Sequence, residues 1–470
     1  MRVDIALESN YASTRSDASL QQTLNLFPHS QRGYRDYPGL VEYASFLATS
    51  ANLQDSGSNN ILDSGGNQIT VSAQAGGSDR GAELGPSGLL YEVSGPSLFS
   101  ISSLGASTYL GAIAGTVPVV MAYNGTQLII AAGANKYVYT TSGGLASISD
   151  GDLDDAYSVG YLDSRFIYDQ PTGFATSVVG DGTDINALDY AAAEAFPDAV
   201  LRVYTINQLA YFFGEESTEI WLSSSVGRPP LDRQVVLEHG IAGRYAIDSI
   251  DDNIYMIDHK KRPAVISGQS HMPLVQQSAL GDEWIGYGDA AYIDARVQCY
   301  SLQHENFADF IFPSVSKVWT FHQSSNTWFE KTYASTTIIK AFNVALAADA
   351  TDRKLYKLDF DNSQIKGSDM QRRKDLPLIT SEVYGAPGRE MVIDDIRIHF
   401  DIAGSADVTL SVSKDLTTFT TIGTKTITGN QTVAWRSIGK CRELITRLEV
   451  SNNTKISILD ASMDAEVLDD

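Results

Sequence analysis

The chain has 470 residues, of which 43% are hydrophobic and 19% are charged. Single compact cores stop growing near roughly 250–300 residues, so we expect two domains, or one large closed β architecture with an appendage. Lys and Arg number 34 against 57 Asp and Glu, a net charge of −23. This charge argues against tight binding to a nucleic-acid backbone or an anionic membrane.

The start of the chain carries no signal-peptide pattern, and no apolar stretch approaches the roughly 18 residues that a membrane span requires. Glycine (38) and tyrosine (23) are plentiful, and segments rich in Val, Ile, Thr and Tyr are short. We therefore expect a soluble, acidic, mostly β protein that folds in the cytoplasm.

Residues 1–88 are expected to form an N-terminal segment and a long polar loop. Two compact motifs, Leu24–Pro28 and Tyr37–Leu40, lie in the first half, and Pro-Gly in the second motif indicates a turn. Residues 48–88 are rich in Ser, Gly and Asn. This composition predicts an exposed loop that could carry a hairpin at its tip.

A repeated unit of a short apolar strand, a polar turn and a second β-branched or aromatic strand begins at residue 89. Its leading apolar residues recur at intervals of about 38 to 56 residues, and four-stranded propeller blades span about 40–50 residues. We therefore predict an all-β fold with a six- or seven-bladed β-propeller over residues 89–370, which residues 1–88 could complete. A sandwich or two stacked barrels is the alternative. The seven repeat positions are Leu89, Leu128, Phe166, Leu209, Ile254, Phe310 and Leu355.

One stretch interrupts this pattern, and the end of the chain departs from it. An Ala-rich stretch predicts a short helix at residues 184–196. A polar, charged connector near residues 361–378 precedes strict alternation, in which Ile396, Ile398, Phe400 and Ile402 share one face. Period-2 alternation is typical of half-buried strands, so residues 371–470 are predicted to form a C-terminal antiparallel β-sandwich.

Motifs of catalysis and cofactor binding are incomplete. The seven histidines show no HxxxH or HExxH spacing. Gly268–Met272 lacks the second glycine of a nucleophile elbow. Gly286–Ala291 matches GxGxxA, but the expected strand at residues 292–300 favours a hairpin turn. The two cysteines, Cys299 and Cys441, are expected to be buried or idle thiols.

The sequence therefore predicts no catalytic, cofactor-binding or metal-binding residue, no cofactor, and no enzyme. Asp150–Asp155 begins like a calcium loop but lacks the required Gly and Glu, and both an irregular calcium site and a solvated acidic turn remain open. Trp284 is either a core residue or an interface anchor.

A series of short motifs runs along the chain. These motifs are Leu24–Pro28, Tyr37–Leu40, Arg80-Gly81 ahead of Leu90–Val93, Glu219–Ser223, Gly240–Ala246, and Trp435–Gly439 with Arg442, Leu444 and Ile445. In this order they resemble the packaged-DNA stabilisation proteins of short-tailed bacteriophages, which are tail hub proteins (tail accessory factors). The resemblance spans nearly the whole chain, and residues 48–77 depart from it as an insertion.

The resemblance implies a structural protein of the virion tail, assembled in the host bacterial cytoplasm. Such proteins form a hexameric ring below the portal–adaptor ring, close the channel after packaging, retain the DNA until ejection, and carry the tail needle or plug and the tailspikes or fibres. Gly240 and Gly243 would be turn glycines, needed where φ is positive or backbones approach, and Trp435 and Leu444 would be core residues. No matched residue carries catalysis.

The net charge agrees with this role, because acidic subunits around a DNA exit would let DNA pass without binding.

Two functions of other classes compete with the tail hub function. One is a carbohydrate-binding or glycoside-cleaving propeller, against which stand the missing signal peptide and the absence of repeated Asp boxes. The other is a protein–protein scaffold of the WD type, against which stands the absence of a Gly-His…Trp-Asp repeat.

Overall fold

A computed structural model describes residues 2–5, 7, 22–29, 33–46, 50–52, 64–66, 70–72, 76–171, 173–192, 198–224, 227–275, 279–348 and 351–468. Within these ranges the chain is almost entirely β, and none of its helices is long and apolar enough to cross a membrane. The strands that precede the propeller ring are β1 (Arg2–Ile5), β2 (Thr23–Leu24), β3 (Leu26–Pro28), β4 (Tyr34–Asp36), β5 (Gly39–Ser45), β6 (Ser50–Asn52) and β7 (Thr70–Ser72).

The ring itself is built from four-stranded antiparallel meanders that follow one another along the chain. The first five are β8 (Asp79–Leu84), β9 (Leu90–Ser94), β10 (Ser97–Ile101) and β11 (Ser107–Ala112); β12 (Val120–Tyr123), β13 (Leu128–Ala132), β14 (Asn135–Thr140) and β15 (Gly144–Ser147); β16 (Val159–Leu162), β17 (Arg165–Gln170), β18 (Gly173–Val178) and β19 (Asp181–Ala191); β20 (Val200–Ile206), β21 (Leu209–Gly214), β22 (Thr218–Ser223) and β23 (Leu231–Leu237); and β24 (Ile247–Ile250), β25 (Asn253–Ile257), β26 (Pro263–Ser267) and β27 (Ser270–Pro273).

Two short helices separate this group from the remaining strands of the ring. They are α1 (Ala279–Ile285) and α2 (Ala290–Ile293), and they are followed by β28 (Arg296–Leu302), β29 (Glu305–Phe312), β30 (Lys317–His322) and β31 (Thr327–Glu330), and then by β32 (Thr337–Ala341), β33 (Val344–Ala348) and β34 (Lys354–Asp359). The C-terminal strands are β35 (Gln364–Ile365), β36 (Ser368–Asp369), β37 (Gln371–Asp375), β38 (Ile379–Thr380), β39 (Met391–Ser413), β40 (Thr420–Cys441), β41 (Glu443–Ser451) and β42 (Ile456–Val467).

The predicted six- or seven-bladed propeller is confirmed. Six four-stranded sheets stand separately in the ring, and the meander β28–β31 adds a seventh four-stranded unit whose outer strand joins the C-terminal sheet. Six of the seven repeat positions lie on, or directly before, the second strand of a blade, and Leu355 lies on the third strand of the last blade. The widest interval, between Ile254 and Phe310, contains the two helices.

The inner hairpins of five blades share one turn geometry. In each, two non-glycine residues with positive φ join the first strand to the second, which is the type I′ geometry that matches the twist of paired strands. These turns give the repeat its regular length, although their residues differ. They are Asp163-Ser164, Asn207-Gln208, Asp251-Asp252, Gln303-His304 and Phe342-Asn343.

The N-terminal segment closes the ring and joins the two domains. Strand β5 pairs with β34 as the outer strand of the last blade, and the first blade begins at Asp79, ahead of the predicted start at residue 89. Strand β2 lies between β31 of the propeller and β37 of the C-terminal region. The two motifs recognised in the sequence near the N-terminus are therefore structural elements of this joint.

The C-terminal region is one bent antiparallel sheet around its own core. One edge of β39 pairs with β40 along most of its length, while the other pairs first with β42 and then, beyond an irregularity after Ile402, with β41. A strand that changes partner at a bulge passes between the layers of a sandwich, in agreement with the predicted fold class. The four residues predicted to share one face, Ile396, Ile398, Phe400 and Ile402, are buried in this one cluster.

Two local predictions were wrong. Residues 184–191 belong to the long strand β19 instead of a helix, because pairing with β18 outweighs the helix propensity of alanine; residues 193–197 lie outside the described ranges. Gly286–Ala291 is not a hairpin turn but the link between α1 and α2.

Trp284, on α1, is fully buried and packs edge-on against Phe312 at a centroid distance of 4.8 Å, so it is a core residue.

Candidate functional site

A cavity of about 600 Å³ lies on the axis of the propeller. The first strands of all seven units line it, and these strands are β8, β12, β16, β20, β24, β28 and β32. Because every strand contributes alternate side chains to the cavity wall, the residues that meet there come from positions spread over some 260 residues of sequence. No local motif predicts such a site.

Tyr245 reaches across one end of this cavity. Its hydroxyl donates a hydrogen bond of 3.2 Å to the carbonyl of Pro118, which precedes the inner strand on the opposite side of the ring. Tyr245 lies in the segment Gly240–Ala246, which carried the sharpest resemblance in the sequence. The segment thus connects the fourth and fifth blades, and its Tyr245 narrows the cavity on the propeller axis.

Two glycines hold this segment against its neighbours. A Cβ atom on Gly243 would lie 2.2 Å from the carbonyl oxygen of Tyr292, and one on Gly240 would lie 2.4 Å from the backbone of Glu215. Neither glycine has positive φ. Of the two reasons expected for these glycines, the close approach of backbones is therefore the one that applies.

Arginines surround Tyr245 at this end of the cavity. The Arg80 guanidinium is saturated by four backbone carbonyls at 2.7 to 3.2 Å, and Arg244 pairs with Asp169 at 2.8 Å. Arg296 donates to the carbonyl of Thr336. Within the described part of the chain, Nε and Nη1 of Arg202 are buried without a hydrogen-bond acceptor. Burial lowers the pKa of Arg202, although nearby tyrosines and acids oppose that shift.

Burial raises the pKa of the two acids that line the cavity. Desolvation raises the pKa of Glu83 to about 7 and that of Asp248 to about 6. Asp248 accepts hydrogen bonds from the backbone amides of Cys299 and Ser249. Burial also raises the pKa of the Cys299 thiol well above its usual value, and a protonated thiol is a poor nucleophile.

A second cluster lies at the fifth blade. Ligand atoms of His239, Asp258 and His271 come within 4.8 Å of one another, although the three residues come from an inter-blade segment and two strand ends. The sequence predicted no metal-binding residue, and its histidine spacings suggest none. The three residues meet only through the meander of the fifth blade and the bridge between Ile241 and Asp258.

The acidic segment Asp150–Asp155 considered in the sequence is held by internal hydrogen bonds. Asp150 accepts from the amides of Asp152 and Ile185, and Lys136 donates to the carbonyls of Leu153 and Asp154. Both the carboxylate and the carbonyls that a calcium ion would need are thus engaged. This geometry favours the acidic turn over the irregular calcium site.

Comparison with known proteins gives one family match. Residues 55–267, just under half of the chain, match the family model described as "Bacteriophage P22 Gp10, beta-propeller". The match covers the ring from its first blade to the third strand of the fifth. It supports a relationship to structural proteins of bacteriophages. No curated protein matches the chain.

Many solved structures are similar at low scores. The WD40 domain of Pan2 from Neurospora crassa has 10% identity and a TM-score of 0.40, with 60% of this chain and 88% of that chain covered. The WD40 propeller domain of Doa1 has 7% identity and a TM-score of 0.41, with 68% and 97% covered. PorZ of Porphyromonas gingivalis has 12% identity and a TM-score of 0.38, with 60% and 36% covered.

Proposed function

We propose that this chain is a tail hub protein of a short-tailed bacteriophage, which closes the portal–adaptor channel and retains the packaged DNA. The observation that carries the proposal is the family match over residues 55–267. The motifs near both ends of the chain, which lie outside that match, resemble the same family. The protein would be assembled in the host cytoplasm and act in the virion tail as a structural component, without catalysis.

The joint between the two domains suits a part that must resist pressure. Arg372 is fully buried and donates to Asp36 at 2.8 Å and to the carbonyls of Asn452 and Thr454. Asn25 bonds to both Thr332 and the carbonyl of Gln371. Because the joint is a hydrogen-bonded sheet with buried polar groups rather than a linker, the propeller and the C-terminal domain are expected to move as one body.

The axial cavity is an unsuitable path for DNA. Its volume of about 600 Å³ is that of a small-molecule site, and Tyr245 narrows one end. In the proposed hexamer DNA would instead pass between the subunits, along acidic outer surfaces. The net charge of −23 per chain would keep the DNA from binding to that wall.

A long free edge offers a surface for assembly. Strand β40 extends from Thr420 to Cys441 and, among the described strands, pairs only with β39. Unpaired strand edges are a common route of association between chains. We propose contacts with other copies in the ring and with the portal–adaptor ring, the tail needle or plug, and a tailspike or fibre. Residues 48–77, most of which lie outside the described ranges, are proposed as a partner-specific surface.

Mass photometry of the purified protein, alone and mixed with a portal–adaptor complex, tests the proposal. We expect a complex that gains six copies of this chain, and the portal ring without its adaptor is the matched control. A protein that ignores the adaptor ring would contradict the hub function. Binding on a glycan array, or cleavage of host polysaccharide, would then favour the carbohydrate-active alternative.

Two further experiments test the parts of the proposal. Phage particles in which acids facing the DNA path are changed to Lys should eject DNA more slowly, and unchanged ejection would count against the role of the negative charge. Deletion of residues 48–77 should impair virion assembly or infectivity. Full infectivity of the deletion phage would show that this segment is not a required partner surface.

A further inference from the structure

The cluster of His239, Asp258 and His271 joins three separate segments of the fifth blade. His239 follows β23, Asp258 follows β25, and His271 lies on the outer strand β27. The His239 and His271 rings stack with centroids 3.7 Å apart and an interplanar angle of 14°. Nε2 of His271 lies 3.7 Å from Oδ2 of Asp258, and the two side chains are 4% and 0% exposed.

The protein alone leaves the imidazoles of this cluster unsatisfied. Within the described ranges, Nδ1 of His239 and Nε2 of His271 are buried without a hydrogen-bond partner. Buried polar atoms are paired in the great majority of native structures, so an unpaired group calls for an explanation such as an ion. Because these two unpaired nitrogen atoms belong to one cluster with the Asp258 carboxylate, a single packing defect does not account for them.

An imidazole binds a metal through the in-plane lone pair of an unprotonated ring nitrogen. The ligand atoms lie within 4.8 Å of one another and would close on a cation with bonds of about 2.0–2.2 Å. Because the two stacked rings lie in nearly parallel planes, one imidazole would rotate out of the stack to direct its lone pair at the cation.

We propose that His239, Asp258 and His271 form a binding site for a divalent transition-metal cation, with zinc as the best match. Two nitrogen ligands and one carboxylate oxygen are a donor set that zinc accepts, and they exclude calcium and magnesium, which prefer oxygen. The fourth position would be taken by water or by His259. The His259 ring lies 5.7 Å from that of His239, and its Nδ1 is likewise unpaired in the described structure.

Arg262 is the group that a cation must compete with. Its guanidinium donates to Oδ2 of Asp258 at 2.7 and 3.0 Å, and its amide donates to Oδ1 at 2.9 Å. A carboxylate oxygen has room for a second partner, but the positive charge of Arg262 opposes a cation nearby. Removing that charge should therefore tighten metal binding, whereas it would not change the adventitious binding of a metal elsewhere.

Metal binding would link the inter-blade segment to the blade that follows it. His239 directly precedes Gly240–Ala246, the segment that places Tyr245 across the axial cavity, and the amide of His259 already bonds to the carbonyl of Gly240. A cation shared by His239, Asp258 and His271 would fix the start of that segment. We infer that the metal stabilises the end of the cavity that Tyr245 narrows and takes no part in catalysis.

Isothermal titration of the full-length, EDTA-treated protein with zinc chloride tests the site. We expect one binding site of micromolar or tighter affinity, a rise in melting temperature of about 2 °C or more with excess zinc, and visible d–d absorption when cobalt(II) replaces zinc. His239→Gln and His271→Gln should each weaken binding at least tenfold. Arg262→Gln should tighten it at least threefold.

His304→Asn is the matched control, because His304 is an exposed turn residue with positive φ, which Asn tolerates. It should bind zinc as the unchanged protein does. Absence of binding and of a cobalt spectrum in the unchanged protein would overturn the proposal, and so would equal affinity in all the histidine variants. An Arg262→Gln protein that binds no more tightly would exclude Asp258 as a ligand. The cobalt spectrum decides the question if a histidine variant fails to fold.

Discussion

The buried ion pair between Lys331 and Asp309 allows a quantitative test of the packing. Both side chains are at most 1% exposed, and Lys331 also donates to the hydroxyl of Tyr300 at 3.2 Å. Oδ1 of Asp309 accepts hydrogen bonds from Tyr300 and Thr320. Lys331→Met keeps the length of the side chain but leaves the carboxylate buried without a cation. Removing one partner of such a pair costs about 3–5 kcal/mol.

The double variant separates the charge from the shape. In Lys331→Met with Asp309→Asn the amide oxygen still accepts from Tyr300 and Thr320 and no charge is left, so we expect a loss of only about 1–2 kcal/mol. Urea unfolding followed by tryptophan fluorescence measures the free energy of unfolding, because Trp319 and Trp328 lie in the same meander as Asp309.

The exposed pair of Lys354 and Glu42 is the matched control. These side chains are 40% and 50% exposed, and Lys354→Met should change the free energy of unfolding by about 0.5 kcal/mol or less. A loss below about 1 kcal/mol for Lys331→Met would refute the reasoning, since it would show that water reaches Asp309. A double variant as unstable as the single one would refute it equally.

Three further predictions concern the axial cavity. Gly243→Ala should lower the free energy of unfolding by about 3 kcal/mol or more, because its Cβ would meet the Tyr292 carbonyl, whereas Gly151→Ala, with open space around it, should be neutral in the same urea titration. Because burial raises the folded-state pKa of Glu83 to about 7, ionisation of this acid should destabilise the wild-type fold by up to about 3 kcal/mol as pH rises from about 4.5 through 7. Glu83→Gln should therefore melt higher than wild type at pH 8 and equally near pH 4. Tyr245→Phe removes only the cross-cavity hydrogen bond and should cost about 1 kcal/mol in thermal unfolding.

The sequence predicted the fold well where local patterns decide it. The period-2 alternation alone predicted that Ile396, Ile398, Phe400 and Ile402 share one buried face. The seven repeat positions found from the spacing each lie in a different four-stranded unit. Local patterns failed where long-range pairing prevails. The alanines near residue 191 favour a helix by propensity, but β19 is fixed by its pairing with β18. The role of Leu24–Pro28 was similarly hidden, because its partners lie about 300 residues away.

The sites could be predicted far less well than the fold. The motif Gly240–Ala246 was noticed from its residues, but only the structure shows that Tyr245 reaches Pro118 across the ring. No sequence pattern marked Arg202 or Glu83 as a cavity residue. In the sequence, a residue that faces a propeller axis cannot be told from any other strand residue. The histidine cluster was missed because its residues are separated in sequence. They meet through the β25–β27 meander of one blade and the bridge between Ile241 and Asp258.

The family match extends over residues 55–267. The closing strand β5, the meander β28–β31 and the C-terminal domain lie outside it. These are the parts that join the propeller to a second core through β2 and β37. In the hub proposed above, the propeller would be the shared building block and contacts with partners would be set by the parts attached to it. Under that proposal, specificity for adaptor, needle or spike would reside in the C-terminal domain. Exchange of that domain between related phages should transfer partner choice and leave the propeller intact.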